Sequence, residues 1–166
     1  MPINQAFLAE LTVEGENTRK MLSRVPFEHA TWKPHEKSMD LQSLAKHVAE
    51  MWSWVGVTLT QDELDFAKPY PMPPEIKTNE DLMDFLEKNL ANAKEVLAKT
   101  TDETMGTNWT MRTGEKIYFT MPKVVVLRSM VFNHIIHHRA QLGVYLRMLN
   151  VPLPGLYGPS ADDMNM

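Results

Sequence analysis

The chain has 166 residues, 43% of them hydrophobic and 23% charged, with a formal net charge of -4. That length favours a single domain, residues 1–166, and the composition suffices for one continuous core. The acidic balance, with no basic run, excludes the electrostatic footprint of a nucleic-acid binder. The absence of cysteine excludes disulfides, thiolate ligands and a protein thiol nucleophile together.

Residues 4–25 carry Phe7, Leu8, Leu11, Met21, Leu22 and Val25, mostly three or four apart, which predicts a first helix. The N-terminal stretch has no basic region followed by an apolar one and reads as amphipathic helix, not as a secretion signal. No apolar run approaches the ~18 residues that cross a bilayer. A cytoplasmic protein without a membrane partner is expected. "VPFEHATWKPHEKSM" then interrupts with two prolines and marks a long connection. A second helix is predicted from about Asp40 to about Leu64, with Ser38 or Asp40 as its N-cap. The Pro-rich loop "KPYPMPPEIK" follows. Thr78, three residues ahead of Asp81, makes a capping-box variant and opens a third helix to about Lys99. "GTNWTMRTGEKIYFTMPK" has no helical period and reads as either a short hairpin or an ordered loop. Pro122 suits the first turn of a fourth helix that ends near Asn150, and the tail "LYGPSADDMNM" is irregular. Four long helices in one small domain predict an all-α fold, a four-helix bundle with long connecting loops.

Bundles build metal sites from side chains on facing helices, so the direction of each histidine matters. Three of the six histidines fall in "NHIIHHRAQL". In the fourth helix Leu127, Val131, His134, His138, Leu142, Tyr145 and Leu149 follow one another at steps of three and four. This is a core-facing seam that includes two histidines. His134 and His138 lie about 40° apart around the helix, one turn from each other, while His137 falls on the flank. In the second helix Leu41, Leu44, His47, Met51, Val55 and Leu59 make a similar seam.

A buried imidazole leaves a donor and an acceptor in need of partners, both costly to strand in an apolar core. Three such rings on two facing seams make a poor core unless something common satisfies them. A divalent cation does so, taking one nitrogen from each neutral ring while the other N–H goes to an outer acceptor. The candidate metal ligands are therefore His47, His134 and His138, with a His134/His137 pair as the alternative. A single such pair on a helix, or a single seam histidine, is weak evidence; the conjunction of three carries the reading.

Other residues are less informative. Glu50 is a weak candidate base, either solvent-facing or an outer contact of His47. Gln141 is placed to orient a ligand, and Asn133 reads equally as surface. Arg139 is expected to point outward, with an anionic substrate as its alternative contact. Trp52 and Trp54 flank the second seam, and Trp32 and Trp109 lie in connections. The 13 methionines suit the filling of core gaps. The carboxylates of "ADDM" read as solvated, or else as competing oxygen ligands. His29 and His35 carry no assigned role.

The order and spacing of "LAKHVAEM", "WKPHEKSM", "HIIHHRAQL" and "YGPSAD" resemble the DinB/YfiT-like family over almost the whole chain. The resemblance implies a four-helix bundle with a divalent metal ion (zinc, nickel or iron) held by three histidines, which map onto His47, His134 and His138. It also implies a homodimer and, in some relatives, transferases or isomerases that use a low-molecular-weight thiol such as bacillithiol or mycothiol.

Three imidazoles would leave the metal its full charge and at least one open position. Such a site activates water or a thiol, and without cysteine in the chain the thiol must be a cosubstrate. The expectation is a metal-dependent transferase that activates a low-molecular-weight thiol for a small-molecule substrate. A metal-dependent hydrolase and a non-catalytic metal- or small-molecule-binding protein are the alternatives. The donor set does not choose among zinc, nickel, iron and copper.

Overall fold

Helix α1 spans Ile3–Leu22 and turns Phe7, Leu11, Met21 and Leu22 inward, as its three- and four-residue spacing dictates. The computed structural model describes residues 2–69 and 72–163. Tyr70 and Pro71 of the Pro-rich loop and Met164–Met166 of the tail lie outside the described residues. After α1, a single 3-10 turn at Phe27–His29 begins the long connection.

The predicted second helix is two. Helix α2 spans Leu41–Glu50 and α3 spans Ser53–Thr60. The chain tightens between them, with Trp54 and Val55 amides bonding the carbonyls of Met51 and Trp52 three residues back. Trp52, fully buried edge-on against Phe132, anchors this turn in the core, not on the flank of a seam. Asp40 is the N-cap of α2, its carboxylate accepting from the Ser43 amide at 2.7 Å. Ser38 is not.

The chain does not stay helical to Leu64. Gln61 is extended, and Glu63–Asp65 forms strand β1. Helix α4, Asn79–Lys99, opens on the expected capping box: the Asp81 amide donates to the Thr78 hydroxyl at 3.1 Å and the Thr78 amide returns to the Asp81 carboxylate at 2.9 Å. A short helix α5 at Asp102–Gly106 had no sequence signal. Strands β2 (Asn108–Thr113) and β3 (Lys116–Pro122) then form the hairpin, with Gly114 at φ 56° in its turn. The all-α expectation therefore holds for the bundle, which carries a small three-stranded sheet at one end in the order β1-β2-β3. Strand β1 pairs parallel to β2, and β2 antiparallel to β3.

The last long helix is continuous but not uniform. Helix α6 (Lys123–Val126) passes into a π-helical segment, Leu127–Phe132, and then α7, Asn133–Met148. It closes with a Schellman motif. Asn150 takes the left-handed conformation at φ 58°, and the amides of Asn150 and Val151 bond the carbonyls of Arg147 and Leu146.

The bundle core joins Leu22, Leu44, Leu86, Leu97, Val131, Leu142 and their neighbours, with α2 packed between α4 and α7. Each such side chain contributes about 1.5–3 kcal/mol relative to exposure. A second cluster of Leu64, Trp109, Met111 and Val126 seats the sheet on the bundle. Lys123, 3% exposed, fastens that junction by donating to Asp62 at 3.0 Å and to the Leu59 carbonyl. Among the described residues no helix is long and apolar enough to cross a membrane.

Candidate metal centre

The widened turn at Leu127–Phe132 sets where the histidines of α7 face. The fully buried line runs through Leu127, Val131, Ile135, Leu142 and Leu146. His134 and His138 stand one residue before Ile135 and Arg139, so they flank this line instead of sitting in it. Both are half-buried, as is His47 on α2. Such placement suits a reactive centre better than full burial, because the rings meet each other beside the core and one side stays open.

The three rings converge. One nitrogen from each of His47, His134 and His138 lies within 4.8 Å of the others. The His47 Nε2 to His134 Nε2 distance is 3.3 Å, and His134 Nε2 to His138 Nε2 is 2.7 Å. His137, by contrast, is exposed and bonds Gln141. The helix therefore selects the i, i+4 pair, and the His134/His137 alternative is not the one brought together.

An outer contact points to the tautomer of His138. His138 Nδ1 lies 2.8 Å from Gln141 Oε1, an oxygen that can only accept, so Nδ1 is the donor and Nε2 keeps its lone pair. The Met130 carbonyl, one turn back in the π segment, acts on the His134 ring to raise its pKa, against the larger effect of burial. The Nε2 atoms of His134 and His138 face each other at 2.7 Å. A contact this close needs a proton or a cation between the two nitrogens. The amide of Gln141 also donates to His137 Nε2 at 3.1 Å, which fixes its own orientation.

Electrostatics favour the ligating form of each ring. Burial, with the charges of His138 and His134 nearby, lowers the His47 pKa to about 4. Burial likewise lowers those of His134 and His138. All three are neutral at physiological pH and available to a cation without displacing a proton.

The spacing also fits a shared cation. Two nitrogens about 2.0–2.1 Å from one ion stand about 3.3 Å apart at a tetrahedral angle and about 2.9 Å at a right angle. The two separations in the cluster, 3.3 and 2.7 Å, fall on the first and just below the second. Among the described residues no carboxylate joins the cluster.

The family model described as the DinB family matches residues 1–165. The chain belongs to the DinB family. It is 25% identical over 164 residues to the uncharacterised protein YrdA of Bacillus subtilis strain 168, covering 95% of this chain and 89% of that one. Its fold is similar to the crystal structure of a DinB-like protein from Bacillus cereus ATCC 10987, with a TM-score of 0.69 and 25% identity over 92% of this chain and 97% of the other. A DinB-like protein of Bacillus subtilis, YjoA, matches in fold with the same TM-score at 20% identity, over 91% and 96% of the two chains.

Several side chains of this DinB protein sit elsewhere than the sequence suggests. Arg139 does not point outward: it is 1% exposed, and its guanidinium bonds the Glu14 carboxylate and carbonyl, the Thr18 hydroxyl and the Tyr157 hydroxyl. Because the buried line includes position 139, an arginine there must find all its partners inside the protein. The tail carboxylates Asp162 and Asp163 are partly exposed and bonded within the protein, apart from the histidine cluster. Asp162 pairs with Arg147 at 2.6 Å, and Asp163 accepts from the Gly155 and Ser160 amides. Glu50 lines a separate cavity of about 1050 Å³ between α3 and α4. Burial raises its pKa. Asn133 is exposed.

Sequence reasoning missed the wall opposite α7. A groove of about 410 Å³ opens beside His138 and Gln141, between α7 and the segment Lys37–Met39. Tyr145 holds that segment by donating to the Met39 carbonyl at 3.2 Å, and Trp32 packs edge-on against the same tyrosine. Nothing in the local sequence marks residues 37–39 as facing the histidines; only the return of the connection across α7 brings them there.

Proposed function

We propose that His47, His134 and His138 hold a divalent metal ion and that the protein is a transferase acting on a low-molecular-weight thiol cosubstrate. One observation carries the metal reading: His47, His134 and His138, from two helices, each bring one nitrogen within 4.8 Å of the others, two of them at 2.7 Å. A bound ion with an open position supplies Lewis acidity that lowers the pKa of a thiol at neutral pH.

The chain's own groups set the rest. Gln141 holds the His138 ring with its Nε2 free to ligate. Leu44, Val144 and Tyr145 give the groove beside them an apolar wall. In the transfer a sulfur–carbon bond forms, the electrophile's leaving group departs with its electron pair, and the thiol proton passes to solvent. This reading is favoured over hydrolysis because the described residues lining that groove include no carboxylate to serve as base toward water, and Glu50 lines the other cavity.

The test is elemental analysis of protein exposed to zinc and to nickel, followed by thiol alkylation assays on the loaded protein. One equivalent of metal and faster thiol consumption than with chelated protein are expected. Absence of stoichiometric metal would overturn the site. Metal without any effect on thiols would leave a non-catalytic binding protein.

A further inference from the structure

The described residues around the two cavities differ in charge. The large cavity between α3 and α4 is lined by seven carboxylate side chains and two lysines. The groove at His138 is lined by one lysine, Lys37, and by no aspartate or glutamate. On a chain with 21 acidic residues and a net charge of -4, the groove that reaches His138 is thus the one of the two whose wall does not repel an anion. Lys37 is exposed at the groove's rim, and among the described residues no carboxylate pairs with it. Its neighbour Ser38 adds a hydroxyl to the same wall. The remaining wall, Met39, Leu44, Val144 and Tyr145, is mostly apolar. A volume of about 410 Å³ holds a small molecule of about a dozen heavy atoms, at about 30 Å³ for each water-sized unit.

We propose that the groove between residues 37–39 and α7 selects a cosubstrate bearing a carboxylate, with that carboxylate on Lys37 and Ser38, its apolar stem along Val144 and Tyr145, and its thiol toward the histidines. This rests on the metal and thiol reading above and adds the charge class of the molecule. Lys37 acts as a binding residue that sets orientation: it fixes one end of the ligand so that the other reaches the metal centre.

The experiment titrates cobalt-loaded protein with mercaptopropionate and with mercaptopropanol, two thiols of similar length that differ in the carboxylate. The sulfur-to-cobalt absorption band reports binding without any turnover. Comparing each ligand between wild type and variants removes the intrinsic difference between the thiols. Lys37→Ala is expected to weaken mercaptopropionate about three- to fivefold at low salt, and Lys37→Glu to weaken it further, with mercaptopropanol unchanged in both. The effect should shrink as salt is added. Lys37 is a surface residue, so both variants fold. If both thiols give the band and neither variant alters their relative affinity, the carboxylate assignment is overturned while the thiol reading stands. If neither thiol gives the band on loaded protein, the thiol reading fails and the inference fails with it.

Discussion

His134 Nε2 and His138 Nε2 stand 2.7 Å apart, one helical turn from each other, with the other nitrogen of His138 already bonded to Gln141. A cation beside the pair would be shared by both rings, and His47 completes the cluster from α2 at 3.3 Å. His47→Ala and His138→Ala should therefore each abolish stoichiometric metal. Loss of a ligand exceeds the roughly 10–100-fold cost of losing an outer contact. His137→Ala, which removes an exposed ring, should retain the metal. Elemental analysis after dialysis against a weak chelator distinguishes these outcomes, and retention in His138→Ala with loss in His137→Ala would reverse the assignment.

Gln141 offers a finer test. Its oxygen fixes the His138 tautomer from outside the cluster, at 2.8 Å from Nδ1. Gln141→Leu should weaken metal binding roughly 10–100-fold while leaving the helix content of the protein unchanged. Gln141→Glu keeps an acceptor at that position and should retain affinity. Competition against a chromogenic chelator measures both; equal affinity of wild type and Gln141→Leu would remove Gln141 from the site.

The site was legible because its signal is periodic. His134 and His138 are one turn apart, and His47 shares the three- and four-residue steps of its helix, so helix geometry alone brings two rings together and points the third toward them. The capping box at Thr78 and the hairpin about Gly114 were legible for the same reason: short-range chemistry specifies them. What escaped depends on distant partners. Arg139 reads as a surface charge until Glu14, 125 residues earlier, is folded against it. Strand β1 continues a helical pattern and becomes a strand through pairing with β2, itself anchored near Lys123. The π segment adds its phase shift without a sequence mark, which is why the predicted seam runs through the histidines and the observed one runs beside them.

Glu50 gives a pH-dependent prediction. Burial raises its pKa above the ordinary value, against a smaller opposing effect of Lys46. A raised carboxyl pKa means that the ionised group costs the folded state stability once the pH exceeds the folded value. That cost disappears as the pH falls below the unfolded value. Glu50→Gln should therefore raise the thermal midpoint of chelator-treated protein near about pH 7.5, and the gain should vanish near about pH 4. A gain that is the same at both values would mean that shape, not charge, is responsible.

Arg139 ties α7 to α1 and to the tail, and its removal tests whether that network is structural or serves the site beside it. The guanidinium is 1% exposed and is the charge partner of Glu14, itself 7% exposed. Arg139→Met leaves a buried carboxylate without its cation, a loss of about 3–5 kcal/mol. Adding Glu14→Gln should restore part of it, because the stranded charge is then gone. Tyr157→Phe removes one hydroxyl bonded to Glu14 at 2.8 Å on a largely exposed ring and should cost about 1 kcal/mol. Urea unfolding gives these values directly. Metal stoichiometry and the cobalt–thiol band should persist in every variant below its unfolding transition, since the Arg139 guanidinium is taken up by Glu14, Thr18 and Tyr157. Were Arg139 instead a contact for an anionic ligand, Arg139→Met would weaken mercaptopropionate binding and leave the unfolding midpoint near that of wild type. The paired measurements separate the two roles, because a buried ion pair shows its loss in stability and a ligand contact shows it in affinity.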